Sequence, residues 1–239
     1  MVMEADEYAR MDAAEDGMWW YKALHARMLD ALSGIEGDVL DAGCGTGGLL
    51  ASLRARRPAF RLVGLERQAA AADRAAAKSG AAVVRGSVNA LPFQDACFDA
   101  VLAADVLCHR AVEPAQALAE LKRILRPGGR LVVNMPAYAW LMSAHDRHVH
   151  NARRQSAREL RAMLASAGFA QVEAQYWNSL LLPLMVAQRK LRGRHDSASD
   201  VSRFSPWLDA TLHAVTEVER RLPVAVPAGG SVLATATRF

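Results

Sequence analysis

A glycine-rich turn after a short apolar segment is the first place in this sequence where chemistry can be expected. Residues 39–50 read VLDAGCGTGGLL, so Asp41 is followed by glycines at positions 43, 45, 47 and 48. Glycines let the backbone turn tightly and approach a ligand closely. Glu66 ends a second apolar segment 25 positions after Asp41, where a carboxylate can accept hydrogen bonds from both hydroxyls of a ribose. Together these features predict a nucleoside-cofactor site, although an ordinary tight turn would show the same glycines.

A second polar cluster lies much further along the chain. Residues 143–150 read SAHDRHVH and contain three of the seven histidines. Three interpretations stay open: a general base at His145 oriented by Asp146, a metal site, or a solvated loop. No second cluster of metal-ligating residues accompanies this one, so we predict no metal. We take His145 and Asp146 as the candidate catalytic residues.

Strands and helices alternate between residues 38 and 135. Short apolar runs predict strands, and runs that begin or end at Gly, Ser or Pro predict helices. The predicted strands are 38–42, 61–66, 82–85, 98–103 and 130–134; the predicted helices are 18–32, 49–57, 69–78 and 114–125. This alternation indicates a parallel, doubly wound α/β sheet with right-handed crossovers, whose carboxyl edge binds the ligand.

The alternation loosens after Pro136. We predict a helix over 156–167, a sixth strand over 170–177, and an apolar helix over 178–191 that Pro183 interrupts. A polar loop over 193–205, a helix over 206–222 and a final strand over 231–237 complete the chain. The final strand is expected to pair antiparallel beside the sixth.

Composition narrows the class of protein. The 239 residues carry a net charge of +4, and acidic residues are interspersed throughout, so no basic arm for nucleic acid is expected. Three cysteines without paired spacing argue against a disulfide framework or a zinc site. The first residues are acidic, and the longest strongly apolar stretch, 180–187, is far shorter than the ~20 residues of a membrane span. We expect a soluble, cytoplasmic protein.

Three segments in order resemble the class I S-adenosylmethionine-dependent methyltransferases. They are DAGCGTG at 41–47, LPFQDACFDAVLAADVLCH at 91–109 and LKRILRPGGRLVVNMP at 121–136. The resemblance implies a Rossmann-like, seven-stranded, mostly parallel sheet with helices on both faces and an antiparallel last strand. It also implies S-adenosylmethionine as cofactor. The glycines Gly43, Gly45 and Gly47 would approach its methionine part, with Asp41 near the amino group and Glu66 on the ribose.

The adenine and sulfonium contacts are less regular. An acidic residue often follows the third strand in that family, whereas this chain has Gly86, Ser87 and Val88 there. Ser87 can still hydrogen-bond the adenine, and Val88 can flank the ring. Carboxylates favour a sulfonium by charge, which makes Asp41 and Asp105 candidates. Asp105 has an equal alternative as the cap of a helix.

The stretch around 137–168 is similar to a bacterial subgroup of these enzymes that has a Trp-rich N-terminal helix and an SAHD segment. Asn151 stands where that subgroup usually has histidine, and Gln155 where it usually has tyrosine. These two differences allow a methyl acceptor different from that of the subgroup.

Two further segments have two interpretations each. The aromatic residues at 19–21 either belong to the core or form a lid over the acceptor. The apolar run 180–186 is either a buried lid helix or dimer contact, or it contacts a membrane surface or lipid substrate. We expect an N-terminal helical lid over 1–37, a core domain over 38–177 and 223–239, and a helical insertion over 178–222.

The expected function is methyl transfer to an oxygen or nitrogen of a small molecule, with a homodimer as one expected assembly and no nucleic-acid partner. A lipid-linked substrate, a non-catalytic cofactor-binding module and an NAD-dependent oxidoreductase are the alternatives. The GCGTG loop disfavours the oxidoreductase, whose usual loop is GxGxxG.

Overall fold

The protein is seen in a computed structural model that describes residues 11–143, 146–147, 149–192, 205–222 and 226–239. The strands are β1 (Asp38–Ala42), β2 (Arg61–Glu66), β3 (Ala82–Arg85), β4 (Phe98–Ala104), β5 (Leu125–Pro136), β6 (Phe169–Trp177) and β7 (Ser231–Arg238). The longer helices are α1 (Trp19–Ala31), α2 (Gly48–Arg56), α3 (Ala69–Ser79), α4 (Pro114–Ile124), α5 (Ala157–Ser166), α6 (Leu182–Arg192) and α7 (Pro206–Arg221). A short helical segment covers 11–15.

The strands form a seven-stranded sheet in the order β3-β2-β1-β4-β5-β7-β6. Strands β1 to β5 pair in parallel, and β7 pairs antiparallel with both β5 and β6. The predicted fold class, with its antiparallel last strand, is therefore confirmed. The insertion of β7 between β5 and β6 was not predicted, because pairing of distant segments leaves no local pattern.

Two predictions about these elements, the start of β5 and a helix interruption at Pro183, were wrong for identifiable reasons. Helix α4 ends at Ile124, and β5 begins at Leu125, five residues before the predicted start, because Leu125 already pairs with Phe98 across a register shift. Pro183 is the second residue of α6 and does not interrupt it. A first-turn proline is tolerated because the N–H group it lacks has no partner within the helix.

The sheet separates two apolar cores. Adjacent residues of β1 point to opposite faces, so that Leu40 packs with α4 and α5 while Val39 packs with α1, α2 and α3. Both side chains are fully buried, which stabilises the fold by roughly 1.5 to 3 kcal/mol per side chain. Helices on both faces leave the carboxyl edge of the parallel strands as the ligand-binding edge.

Helix α1 packs against the helices that follow β6. The backbone N–H of Trp19 donates to Asp209 Oδ1 at 2.8 Å, and the buried Arg27 guanidinium lies 3.6 Å from Glu219 Oε1 and 4.7 Å from the Trp177 ring centre. The predicted N-terminal lid and helical insertion are thus in mutual contact. Their treatment as units separate from the core domain stays a prediction.

The apolar run before and within α6 is divided between core and surface. Leu181 is buried with Trp19 and Leu212, whereas Leu180 and Leu184 are 52% and 57% exposed. Within the described ranges, each helix is too short or too polar to cross a bilayer. The polar loop predicted over 193–205 falls almost wholly outside the described residues.

Candidate functional site

A cavity of about 300 Å³ opens at the carboxyl ends of β1, β2 and β4. This is the edge at which doubly wound sheets bind ligands. Its lining combines the predicted cofactor loop with side chains from the N-terminal segment and from the segment after β5. Among the lining residues are Glu15, Trp20, Tyr21, His25, Asp41, Gly43, Gly45, Glu66, Ser87, Val88, Asp105, His109, His150 and Asn151.

Backbone hydrogen bonds and positive φ angles fix the conformation of the glycine loop. The N–H groups of Gly43 and Cys44 both donate to the Leu65 carbonyl, at 2.8 and 2.9 Å. Gly43 has φ +102°, and a Cβ there would lie 2.5 Å from Val106, so only glycine fits. Gly45 also lines the cavity. Gly47 does not: it has φ +93° and lies where a Cβ would be 2.7 Å from the Ala75 backbone, so its observed role is close packing of α2 on α3, and its cofactor contact stays a prediction.

Asp41 is an unpartnered carboxylate at the centre of this site. Its side chain is 1% exposed, and neither oxygen has a hydrogen-bond partner. Burial, together with the nearby Glu15 and Glu66 carboxylates, raises the pKa of Asp41 to about 7. A buried carboxylate without a partner is costly unless a cation joins it. The site therefore fits the positively charged ammonium and sulfonium groups of the implied cofactor.

Glu66 is fixed by backbone donors at the end of β2. Its Oε1 accepts from the N–H groups of Arg67 and Gln68, each at 2.8 Å, and its Oε2 accepts from Gly45 at 3.1 Å. These bonds aim the carboxylate along the cavity wall. Oε1 therefore accepts two backbone hydrogen bonds and Oε2 accepts one. The contact of Glu66 with a ribose stays a prediction.

Replacing Glu66 with alanine is expected to weaken S-adenosylmethionine binding by ~1 to 3 kcal/mol, the usual cost of losing hydrogen bonds to a charged partner. Glu66→Gln should lose less, because the amide oxygen can still accept. Calorimetric titration measures both, with Glu36→Gln at an exposed carboxylate as the control. A loss below ~1 kcal/mol in the alanine variant would mean that the ribose is held by other residues.

Glu15 belongs to the site but was missed by sequence reasoning. Its buried carboxylate accepts from Thr46 Oγ1 at 2.6 Å and from Lys78 Nζ at 2.5 Å, and Lys78 also contacts Asp12 at 2.6 Å. The N-terminal segment is thereby fastened over the cofactor loop, with Met11 above Gly45. No local signal in the sequence marks Glu15, because its partners lie 31 and 63 residues away.

Asp105 lies beside the cavity in a left-handed backbone conformation, with φ +53°. Its Oδ1 accepts from Asn134 Nδ2 at 2.9 Å, and burial raises its pKa to about 7. The helix-cap alternative is wrong, because the following helix α4 has Glu113 as its N-cap. A contact of Asp105 with cofactor or substrate stays a prediction. Ser87 and Val88 also line the cavity, and their contact with the adenine stays a prediction.

Asp146 is fully buried and does not line the cavity. The Arg154 guanidinium donates two hydrogen bonds to the Asp146 carboxylate, from Nε to Oδ1 at 3.0 Å and from Nη2 to Oδ2 at 2.9 Å. Ser143 donates to Oδ2 through its backbone N–H at 2.7 Å, and Asn151 Nδ2 donates to Oδ1 at 3.2 Å. Burial alone would raise the pKa of Asp146, but Arg154 and these donors hold it below its usual value. The observed contacts make Asp146 an anchor of the segment, and its catalytic role stays a prediction.

His145 lies outside the described residues, so its predicted role as a base stays a prediction. The same segment instead presents His150 and Asn151 to the cavity, where His109 and His25 join them. Burial lowers the pKa of His25 to about 4, which keeps that imidazole neutral. The polar cluster at 143–150 thus contributes His150 to the cavity lining, and the catalytic role predicted for the cluster stays a prediction.

The aromatic residues at 19–21 lie partly at the cavity and partly in the core, and their role as a lid over the acceptor stays a prediction. Trp20 and Tyr21 line the cavity with their rings edge to face at 5.1 Å, whereas Trp19 is buried in the cluster with Leu181 and Leu212. Helix periodicity places successive residues on different faces, which explains the division. As for metals, the part of the chain with described coordinates has no group of three or more ligating side chains placed for an ion.

Comparisons with known proteins agree with this geometry. A family model described as a methyltransferase domain matches residues 40–133, from Leu40 in β1 to Val133 in β5. An uncharacterized 37.1 kDa protein in transposon TN4556 of Streptomyces fradiae is 35% identical over 187 residues, covering 71% of this chain and 52% of that protein. The malonyl-acyl-carrier-protein O-methyltransferase of Herminiimonas arsenicoxydans is 32% identical over 202 residues, covering 81% of this chain and 76% of that protein.

Solved structures share the fold. A Thermotoga maritima S-adenosylmethionine-dependent methyltransferase, described as a possible histamine N-methyltransferase, superposes with a TM-score of 0.64 at 23% identity, covering 98% of this chain and 96% of that one. The chain spans only 52 to 62% of the length of the first three sequence relatives. With 32% identity across 76% of the Herminiimonas enzyme, and with the family model lying on the strands that build the cavity, this chain belongs to the S-adenosylmethionine-dependent methyltransferases.

Proposed function

We propose that this protein transfers a methyl group from S-adenosylmethionine to an oxygen or nitrogen of a small-molecule acceptor. The observation that carries the proposal is Asp41, a fully buried carboxylate with no partner at the carboxyl edge of the sheet. A cationic cofactor would supply the missing charge. Methyltransferases use that cofactor as an electrophilic methyl donor.

The residues around the cavity suit an alignment mechanism. Asp41 would bind the cofactor's ammonium group and Glu66 its ribose, while Ser87 and Val88 border the adenine. Trp20 and Tyr21 of α1 form an apolar wall that excludes water and orients an acceptor. Alignment of two reactants in a dry site is the main contribution a protein makes to an in-line displacement.

The relatives' names support both acceptor atoms. The Herminiimonas protein is named as an O-methyltransferase, and the Thermotoga protein as a possible N-methyltransferase. Our proposal extends to membership of the bacterial subgroup with the SAHD segment, in which Ser143 and Asp146 contact each other. A homodimer, the absence of a nucleic-acid partner and a cytoplasmic location also stay predictions.

A lipid-linked or membrane-surface acceptor is the second candidate. Leu180 before α6 and Leu184 within it are exposed, and in other parts of the chain Trp140 is 65% and Trp207 71% exposed. Such side chains can contact an apolar surface. A non-catalytic cofactor-binding module is the remaining alternative, since Asn151 and Gln155 depart from the subgroup's pattern.

The test begins with binding and continues with transfer. Calorimetry should detect S-adenosylmethionine and its demethylated product but not NAD. Protein incubated with methyl-tritiated S-adenosylmethionine and a bacterial extract, separated into small-molecule, lipid and macromolecular fractions, should label the small-molecule fraction. Label in the lipid fraction would favour the second candidate, and cofactor binding without label in any fraction would favour the non-catalytic module.

A further inference from the structure

The acceptor half of the cavity can be located from the sheet order. Glu66, Ser87 and Val88 follow β2 and β3, on one side of the cofactor loop that follows β1. His109 and His150 follow β4 and β5, on the other side. With the nucleoside on the β2 and β3 side, as proposed above, the β4 and β5 side is left for the acceptor.

His109 has a fixed orientation in this half. Its imidazole hydrogen-bonds the Val149 backbone. Burial lowers the pKa of His109, and the neighbouring His150 lowers it as well, against the effect of that hydrogen bond. His109 is therefore neutral at pH 7, and its second ring nitrogen is a hydrogen-bond acceptor.

His150 is the less satisfied of the two imidazoles. Its Nε2 is buried and has no hydrogen-bond partner, although the ring borders the cavity. Its backbone is left-handed, with φ +56°, and is held there by two hydrogen bonds: Arg110 N–H donates to its carbonyl at 2.9 Å, and its own N–H donates to Arg147 at 3.2 Å. An unpaired buried ring nitrogen in a polar cavity wall is a place for a ligand's donor.

The adjacent amide is already used. Asn151 Oδ1 accepts from Cys108 Sγ at 3.1 Å, and Asn151 Nδ2 donates to Asp146. Asn151 thus braces the segment and leaves the acceptor contact to His150.

The charged side chains around this half of the cavity disfavour an anionic acceptor. Arg153 donates to the carbonyls of His109 and Val112, and Arg154 is committed to Asp146 and Ala137. Among the described residues that line the cavity, the positively charged side chain is Arg67. Arg67 follows β2, on the nucleoside side of the cavity. Asp105 adds a carboxyl group here. Among the described residues that line this side of the cavity, none supplies a positive side chain for a carboxylate or phosphate on the acceptor.

We propose that His150 is the acceptor-contacting residue of this proposed methyltransferase, and that the acceptor is an uncharged aromatic molecule with a hydroxyl group that donates to His150 Nε2. Trp20 and Tyr21, which line the same cavity, would supply aromatic contacts for such an acceptor. In the transfer, the hydroxyl oxygen forms a bond to the methyl carbon and its O–H bond breaks. The electron pair of the methyl–sulfur bond stays on sulfur, and the proton passes to His150 Nε2 and then to water.

The test uses three matched probes on protein saturated with S-adenosylhomocysteine: 2-naphthol, 2-methoxynaphthalene and 2-naphthoate. They share one ring system and differ in a donor hydroxyl, its methylated form and a negative charge. We expect 2-naphthol to bind at least ~10-fold more tightly than 2-methoxynaphthalene, because one hydrogen bond to a buried acceptor accounts for that ratio. We expect 2-naphthoate to bind more weakly than either.

Variants assign the preference to one side chain. His150→Phe should reduce the naphthol-to-methoxynaphthalene ratio to about one, whereas His150→Gln, which keeps an acceptor oxygen, should retain most of it. His213→Phe on α7, outside the cavity lining, should leave the ratio unchanged. A ratio near one in the wild type, undiminished preference in His150→Phe, tighter binding of 2-naphthoate, or no binding of any probe would each overturn the proposal. Absence of S-adenosylhomocysteine binding would instead overturn the proposed function itself.

Discussion

Asp41→Asn is expected to lower the affinity for S-adenosylmethionine by about 100-fold, or roughly 3 kcal/mol. The carboxylate is buried and unpartnered, so a cationic ligand gains both a charge pair and relief of an isolated charge. Asparagine keeps the shape of the side chain and removes the charge. Calorimetric titration at pH 8 measures the loss.

The same substitution should change how stability depends on pH. Folding raises the pKa of Asp41 from 3.8 to about 7, so its contribution to stability is fully present below pH 3.8 and is lost as the pH rises through 7. The unfolding free energy of Asp41→Asn should therefore improve relative to wild type by on the order of 3 kcal/mol between pH 4 and pH 8. Urea denaturation of the ligand-free proteins across this range gives the difference.

A matched control is Asp73→Asn, which removes an exposed carboxylate from the neighbouring helix α3. It should leave both the affinity and the pH dependence unchanged. If Asp41→Asn folds and binds S-adenosylmethionine as tightly as wild type, the assignment of Asp41 to the cofactor's cation fails.

Arg154→Met should destabilise the protein by about 3 to 5 kcal/mol, because it leaves the buried Asp146 carboxylate without its counterion. The exposed fractions of the two side chains are 5% for Arg154 and 0% for Asp146, so water cannot replace the lost partner. The segment that carries His150 and Asn151 is anchored through this pair. Chemical denaturation measures the change in unfolding free energy.

Two companion variants separate the charge from the packing. Arg158→Met, at an exposed arginine on α5, should change the stability by less than ~0.5 kcal/mol. The double variant Arg154→Met with Asp146→Asn should recover part of the loss, because the isolated charge is gone. A double variant no more stable than Arg154→Met would show that packing of the arginine, and not its charge, holds the segment.

Local features of the sequence determined the strands at the centre of the fold. The predicted bounds of β1, β2 and β3 match the structure, because each strand is a short, mostly apolar run flanked by turn residues. The cofactor loop was recognisable for a similar reason. The backbone angle of Gly43 and its contact with Val106 require glycine at this position. A glycine-rich turn after a strand is visible directly in the sequence.

Only the tertiary structure decided which distant side chains share the cavity. Glu15 reaches Thr46 across 31 positions, and β7 enters between β5 and β6 from the far end of the chain. Contacts of this kind depend on how packed elements meet, and neither periodicity nor composition encodes them locally. The backbone path that places His150 at the cavity is held by its contacts with Arg110 and Arg147, so the sequence alone could mark a cluster of histidines there but could not show that His150 lines the cavity.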